Sequence, residues 1–244
     1  MTRGGPQVIP RPPKWTPGAL APWAHLPLAE RVVTAASLRR ALAGRRGEAS
    51  SVEVMGSSRR SAVLAAFYEE AGALWVVLTR RAWTLRAHTG EVCFPGGGID
   101  AGETAAEAAV REAEEEVALD RSTIEILGEL DHLVTVTARS TIVPLVALLP
   151  GGRPQLTPNP GEVDEILHVP VAELLRDDVY REERWMFEVP PVWASPEALR
   201  AGVPVERSIA FFELEHDTLW GITAAMLRHL LSLALGLDVA LDHL

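Results

Sequence analysis

The order of apolar runs and chain breakers predicts a mixed β-sheet flanked by helices, of class α+β or α/β. Three features carry that reading. Two apolar runs, residues 61–68 (SAVLAAFY) and 73–79 (ALWVVLT), are separated by EEAG, a hairpin signal. An Ala- and Glu-rich segment within residues 97–119 has the 3.6-residue period of an amphipathic helix. Residues 219–235 form an apolar stretch that reads as a terminal helix. With 244 residues, 48% of them hydrophobic, the chain is long enough for one full domain with an extension, or for two small ones.

Residues 1–27 hold many of the prolines and should form an extended arm with little structure of its own. Residues 28–42 have helical apolar spacing, suited to packing on the domain or on a partner subunit, and residues 44–58 read as a polar linker. These segments separate an arm, helix and linker (1–58) from a main domain (59–244). After the hairpin come Arg80, Arg81 and Arg86, a short strand at 92–94, a Gly-rich turn and the acidic helix. Residues 126–137 and 141–149 form a strand pair. A strand at 165–169, a helical turn at 171–175 and a hairpin of 184–189 with 208–214 follow. Asp217 or Thr218 is the natural N-cap of the last helix. No internal repeat is present.

Composition excludes several classes. A net charge of −10 disfavours general nucleic-acid binding. No apolar run approaches the ~20 residues that span a bilayer. The first residues, MTRGGPQVIPRPPKW, lack the apolar core of a signal peptide. The single cysteine, Cys93, forbids an internal disulfide and reads as a buried strand residue, so a reducing cytoplasm is the default. The histidines show no zinc spacing. Lys14 is the only lysine, and the arginines that replace it elsewhere suit bidentate phosphate contacts.

The chemistry concentrates on the acidic helix. At about 100° per residue, Glu112, Glu115 and Glu116 share one face, while Ala106, Val110, Ala113 and Val117 form a neighbouring apolar face. Glu107 and Glu114 point elsewhere. Acidic runs are commonly solvated faces, yet carboxylates this close repel one another unless a cation lies between them. A hard divalent ion, Mg²⁺ or Mn²⁺, is the natural choice. Phe94, Pro95, Gly96, Gly97 and Gly98 place permissive backbone just before the helix, and the Gly97 carbonyl could complete such an ion's shell.

The spacing from Gly97 through Glu103 to Arg111, Glu112, Ala113, Glu115 and Glu116 resembles the Nudix box. Two positions depart from it. Ala118 stands where the pattern has Gly, which suggests a helix running on to about Leu119, and Ala113 stands where it has a bulky aliphatic. Upstream, Val77, Leu78, Thr79, Arg81, Arg86, Gly90, Phe94, Pro95, Gly96, Gly97 and Asp100 resemble the signature of the coenzyme A diphosphatase branch, with Val77 for Leu and Ala82 for Ser. Asn159, Pro160, Glu162 and Val163, and Leu219, Trp220, Gly221, Thr223 and Ala224, are similar to that branch as well. The resemblance implies an α+β fold of the α/β/α-sandwich type. It also implies metal-dependent cleavage of coenzyme A or its derivatives to 3′,5′-ADP and (acyl-)4′-phosphopantetheine.

Under that reading Glu112, Glu115 and Glu116 hold the metal. Arg111 positions carboxylates such as Glu103, and Glu162 is the candidate base outside the box. Arg80, Arg81, Arg86 and His88 are the candidate substrate contacts, with the arginines suited to an additional 3′-phosphate. Trp83 and Trp220 could line the pocket, although plain packing explains them better. The alternatives are a Nudix hydrolase of another nucleoside diphosphate derivative (nucleotide sugar, dinucleoside polyphosphate or oxidised nucleotide) and an inert nucleotide-binding module. A small-molecule substrate, no nucleic-acid or membrane partner and possible homodimerisation complete the expectations.

Overall fold

Strands β2 (Arg59–Glu70) and β3 (Ala73–Arg81) form the expected hairpin. Ala71 and Gly72 both have positive φ, 50° and 76°. That is the conformation of a type I′ turn, whose twist matches the flanking strands. The structure is a computed structural model that describes residues 3–48, 59–135, 140–188, 201–202, 204–237 and 239.

β2 runs parallel to β8 (Ser140–Leu149), in register from Arg59 opposite Ser140 to Tyr68 opposite Leu149. β4 (Val92–Cys93) and β9 (Val163–Pro170) pair with β3. β5 (Gly96–Gly98) pairs with β2, and β6 (Glu125–Glu129) and β7 (Leu133–Thr135) pair with β8. The expected strand at 126–137 is therefore two short strands, and its last two residues lie outside the described region.

Alternation along β2 makes the layers. Ala62, Leu64, Ala66 and Tyr68 face α2 (Ala105–Val117), meeting its Ala108, Ala109, Ala113 and Val117. Ala65 and Phe67 face the opposite way, toward Leu38 and Leu42 of α1 (Ala35–Leu42) and Leu227, Leu230 and Leu231 of α4 (Gly221–Ala234). The result is an α+β fold with helices on both faces of a mixed sheet. Fully buried Ala113 belongs to an alanine-rich contact between α2 and β2, which lets the two approach closely.

A second sheet, fully antiparallel in the order β1-β10-β11-β12, is built from β1 (Lys14–Pro17), β10 (Tyr180–Phe187), β11 (Val205–Glu213) and β12 (Thr218–Trp220). It corrects the picture of a loose arm. Lys14–Pro17 becomes a strand by pairing with β10, and Trp23 is 0% exposed, edge-on to Tyr180 and stacked with Phe212. Arg31 is also buried and donates to the carbonyls of Leu26 and Leu175 and to Asp177.

Other boundaries move for local reasons. The helix expected over 28–42 divides into a 3₁₀ turn, Leu28–Glu30, and α1, because Thr34 caps α1 through a reciprocal box with Ser37. Residues 49–58 of the expected linker lie outside the described region, as does residue 189 at the end of the 184–189 strand. The short helical turn after β9 is α3 (Val171–Leu174). The last helix begins at Gly221, after Trp220. Thr218 belongs to β12, and Asp217 is held in an ion pair, so neither caps the helix.

The end of α2 also differs from expectation. The helix stops at Val117, and Ala118 takes the left-handed conformation (φ 54°, ψ 34°) that a glycine normally supplies. Its N–H still bonds to the carbonyls of Ala113 and Glu114. The left-handed region costs an L-residue about 1–2 kcal/mol, and Ala118 is exposed. Ala118→Gly should therefore stabilise the fold by about 1 kcal/mol, read as a higher urea midpoint at unchanged m-value.

Candidate active site

The site is assembled where β5 feeds α2. Thr104 caps α2 in a reciprocal box with Glu107, which explains why Glu107 stands apart from the other acids. In the approach to the helix, Glu103 accepts the Asp100 N–H (3.0 Å) and two bonds from Arg111, at 2.9 and 3.1 Å. Arg111 also donates to the Gly98 carbonyl (2.9 Å), Glu112 (2.9 Å) and Glu115 (3.2 Å). This guanidinium thus ties the glycine turn to the acidic face. Arg111 holds the Glu103 carboxyl below its ordinary range, helped by the Asp100 N–H.

Glu116 is the buried member of the set, 3% exposed, with Oε2 accepting the Gly96 N–H at 3.2 Å. Burial pushes its carboxyl up to about 7; the Gly96 bond and Arg81 oppose the shift, while Glu112 and Glu162 add to it. Arg81 Nη1 lies 3.9 Å from Glu116 Oε1, too far to neutralise it by direct hydrogen bonding. Glu112 is also raised, first by burial, with Arg111 opposing and Glu115 and Glu162 reinforcing. Glu115 is the most solvated of the three, its side chain 57% exposed.

The glycines have separate tasks. A Cβ on Gly97 would sit 2.4–2.5 Å from the Glu112 carboxylate, and one on Gly96 would sit 2.4 Å from the Ala62 carbonyl. Leu64 N–H bonds to Pro95 O and Ile99 N–H to Arg60 O, so alternation makes Ala62 and Gly97 a mutually bonded pair. The Gly97 carbonyl is engaged in the sheet, whereas the Gly96 peptide turns its N–H to Glu116.

Glu162 reaches this region through a loop stapled to the end of α2. Thr157 N–H bonds to the Val117 carbonyl (3.0 Å) and Asn159 N–H to the Glu116 carbonyl (2.8 Å). Glu162 is exposed, and its charge contributes to raising both Glu112 and Glu116.

The candidate substrate contacts separate. Arg81 faces Glu116, and its buried Nε has no hydrogen-bond partner. The register shifts between Arg80 and Arg81, a bulge that re-aims the strand beside the site. Arg80 is instead consumed by Asp164, Glu165 and Asp217. Its guanidinium thus joins the ends of β3, β9 and β12 through three ion pairs. Arg86 is exposed. His88, with φ 55°, bonds to Glu91 at 2.9 Å, and that bond raises its pKa. Cys93 lies in a strand as expected but is half-buried rather than buried, and desolvation pushes its thiol up to about 11. The bonds of Gln7 to Gly90 and Asp217, and of Asp217 to Arg80, carried no sequence signal, because the partners lie far apart in the chain.

All donors on the α2 face are hard oxygens, the set that suits Mg²⁺ or Mn²⁺. Burying an ionised carboxylate beside other acids is unfavourable without a cation, and the raised Glu112 and Glu116 carry that cost. The donors are not gathered into a closed cage: among the described residues no three acidic, imidazole or thiol groups converge on one point. Arg111 occupies the space between Glu112 and Glu115.

The NUDIX domain model matches residues 58–189, over half of the 244-residue chain, and the chain belongs to the Nudix family. It is 32% identical to Nudix hydrolase 3 of Caenorhabditis elegans over 165 residues, covering 65% of this chain and 66% of that protein, just under two thirds of its length. It is 34% identical to the uncharacterized Nudix hydrolase NudL of Photorhabdus laumondii over 156 residues, covering 64% of this chain and 74% of that one. Among solved structures, the NUDIX domain of Shewanella oneidensis NrtR, determined with ADP ribose, aligns at 23% identity and a TM-score of 0.39, covering 48% of this chain and 75% of that one. No helix among the described residues is long and apolar enough to cross a membrane.

Proposed function

We propose that the protein hydrolyses the pyrophosphate bond of a nucleoside diphosphate derivative, and that its substrate is coenzyme A or an acylated or oxidised form of it. The observation that carries the hydrolytic reading is the buried Glu116, held by the Gly96 N–H beside Glu112 with no hydrogen-bonding cation of its own. Glu112, Glu115 and Glu116 would hold the divalent ion. The Gly96 carbonyl suits the remaining position better than Gly97's, which the sheet engages. When bound, such an ion offsets charge on the phosphoryl oxygens and lowers the pKa of water.

The side chains supply the rest. Arg111 orients Glu112, Glu115 and the glycine turn through Glu103 and the Gly98 carbonyl. Glu162, exposed and adding to the raised state of Glu112 and Glu116, would accept a proton from the attacking water. Arg81, beside Glu116 with its buried Nε unpaired, would take a phosphate oxygen of the substrate, and Arg86 and His88 lie on the exposed loop that follows. The coenzyme A assignment rests on the run of signature residues from Val77 to Asp100.

Product analysis after incubation with Mg²⁺ or Mn²⁺ tests both levels. Coenzyme A, ADP-ribose and diadenosine polyphosphates are compared side by side. Release of 4′-phosphopantetheine and 3′,5′-ADP is expected. Cleavage of another substrate with coenzyme A intact would overturn the branch assignment, and no cleavage of any would overturn the hydrolase reading.

A further inference from the structure

We propose that the N-terminal arm is a clamp on the substrate loop, residues 82–91, and that Gln7 is its positioning residue. The inference deepens the hydrolase reading above and rests on it for the substrate-affinity arm of its test. Gln7 is 8% exposed and uses both ends of its amide. Nε2 donates to the Gly90 carbonyl (3.1 Å) and to Asp217 Oδ1 (2.5 Å), while Oε1 accepts the Thr218 N–H (2.8 Å). One side chain from the arm thereby joins the substrate loop to the start of β12.

Both partners lead to the site. Asp217, 3% exposed, accepts Arg80 Nη1 at 2.9 and 3.1 Å. Arg80 adjoins the bulge that turns Arg81 toward Glu116. Gly90 closes the loop with φ +67°, and a Cβ there would lie 2.3 Å from the Trp83 ring. Arg81 N–H in turn bonds to the Glu91 carbonyl at 2.9 Å. Loop, bulge and Arg81 therefore share one support, and Gln7 is the part of it that comes from outside the main domain.

The arm is anchored on either side of Gln7: after it, Arg11 donates twice to Glu183, at 2.7 and 2.6 Å, and before it two glycines are held. Gly4 N–H bonds to the Leu214 carbonyl (2.8 Å) and Gly5 N–H to Thr218 Oγ1 (3.1 Å). A Cβ on Gly5 would lie 2.4 Å from the His216 carbonyl, so the backbone runs directly against the turn that carries Asp217. The chemistry needs an amide. Glutamate of the same length keeps the acceptor but turns a carboxylate toward Asp217 and the Gly90 carbonyl, and methionine supplies neither bond.

The test compares Gln7→Met and Gln7→Glu with the wild-type full chain. KM for the cleaved diphosphate is expected to rise about tenfold in Gln7→Met, the scale of a lost buried hydrogen-bond set, and further in Gln7→Glu, with kcat much less affected. Mn²⁺ binding should be unchanged. Amide hydrogen exchange should accelerate within residues 82–91 while α2 stays protected. Unchanged KM in Gln7→Met, or faster exchange spread evenly over α2 and the main sheet, would overturn the proposal. If the wild type cleaves no diphosphate, the exchange pattern still decides whether the clamp exists, and only the hydrolase reading falls.

Discussion

Glu116→Gln is expected to leave the metal-free protein more stable than the wild type at pH 8 while removing most of its turnover. The Glu116 carboxyl is raised to about 7 by burial, above its ordinary unfolded value. The folded state therefore binds the extra proton in the window between roughly 4.5 and 7. Over that window the wild type loses stability as pH rises, and above about 7 the cost of the buried charge is complete, on the order of 3 kcal/mol. Gln keeps an acceptor for the Gly96 N–H and carries no charge. Its NH₂ group faces Arg81 and gains little, so a gain of about 1–3 kcal/mol at pH 8 is expected. Near pH 4.5 the two proteins should converge.

Divalent metal should reverse this order, because it stabilises only the chain that binds it. Loss of an ion that supplies several kcal/mol of transition-state stabilisation lowers kcat/KM by about 10³-fold. Urea melts at pH 4.5 and 8, with and without Mg²⁺, check the stability half, and initial rates check the other.

The second large effect is expected from Gly97→Ala. A methyl group there would enter the space of the Glu112 carboxylate. That carboxylate is the end of a flexible side chain, so it can swing away at small cost to the fold. It cannot do so and still keep its place between Arg111 and the glycine turn. Turnover should fall by about 10²-fold or more, as a displaced catalytic group predicts, while the melting temperature shifts little. Gly96→Ala is the contrasting variant: its methyl meets the Ala62 backbone, and overpacking against backbone costs about 1–3 kcal/mol. Equal stability losses in the two variants would show that the two glycines do not have separate tasks.

What was legible in the sequence is what local periodicity encodes. The acidic stripe of α2 and the Arg111–Glu103 pair lie within a few helical turns, so spacing alone brings them together. The β2–β3 hairpin was legible for the same reason, since two turn residues set its register. The rest depends on partners remote in the chain. The ion pairs of Arg80 were not legible because nothing nearby in the chain signals that Asp164, Glu165 and Asp217 will meet it. Lys14–Pro17 has no strand pattern of its own and becomes one only when β10 supplies the ladder. Trp23 looked like an arm residue because the cavity it fills is walled by Tyr180 and Phe212. Ala118 differed for another reason: a residue other than glycine takes the left-handed turn while its N–H still reaches the last carbonyls, so the helix ends there without running on to Leu119.

The account stands on the α2 carboxylates acting together as a seat for a divalent ion. Mn²⁺ titration at pH 8, followed by electron paramagnetic resonance of the free ion, measures that directly. The wild type should take up Mn²⁺ in a saturable manner, Glu116→Gln should lose most of that uptake, and Glu107→Gln, altered only in the capping box, should retain it. Equal uptake by the wild type and Glu116→Gln would contradict the account.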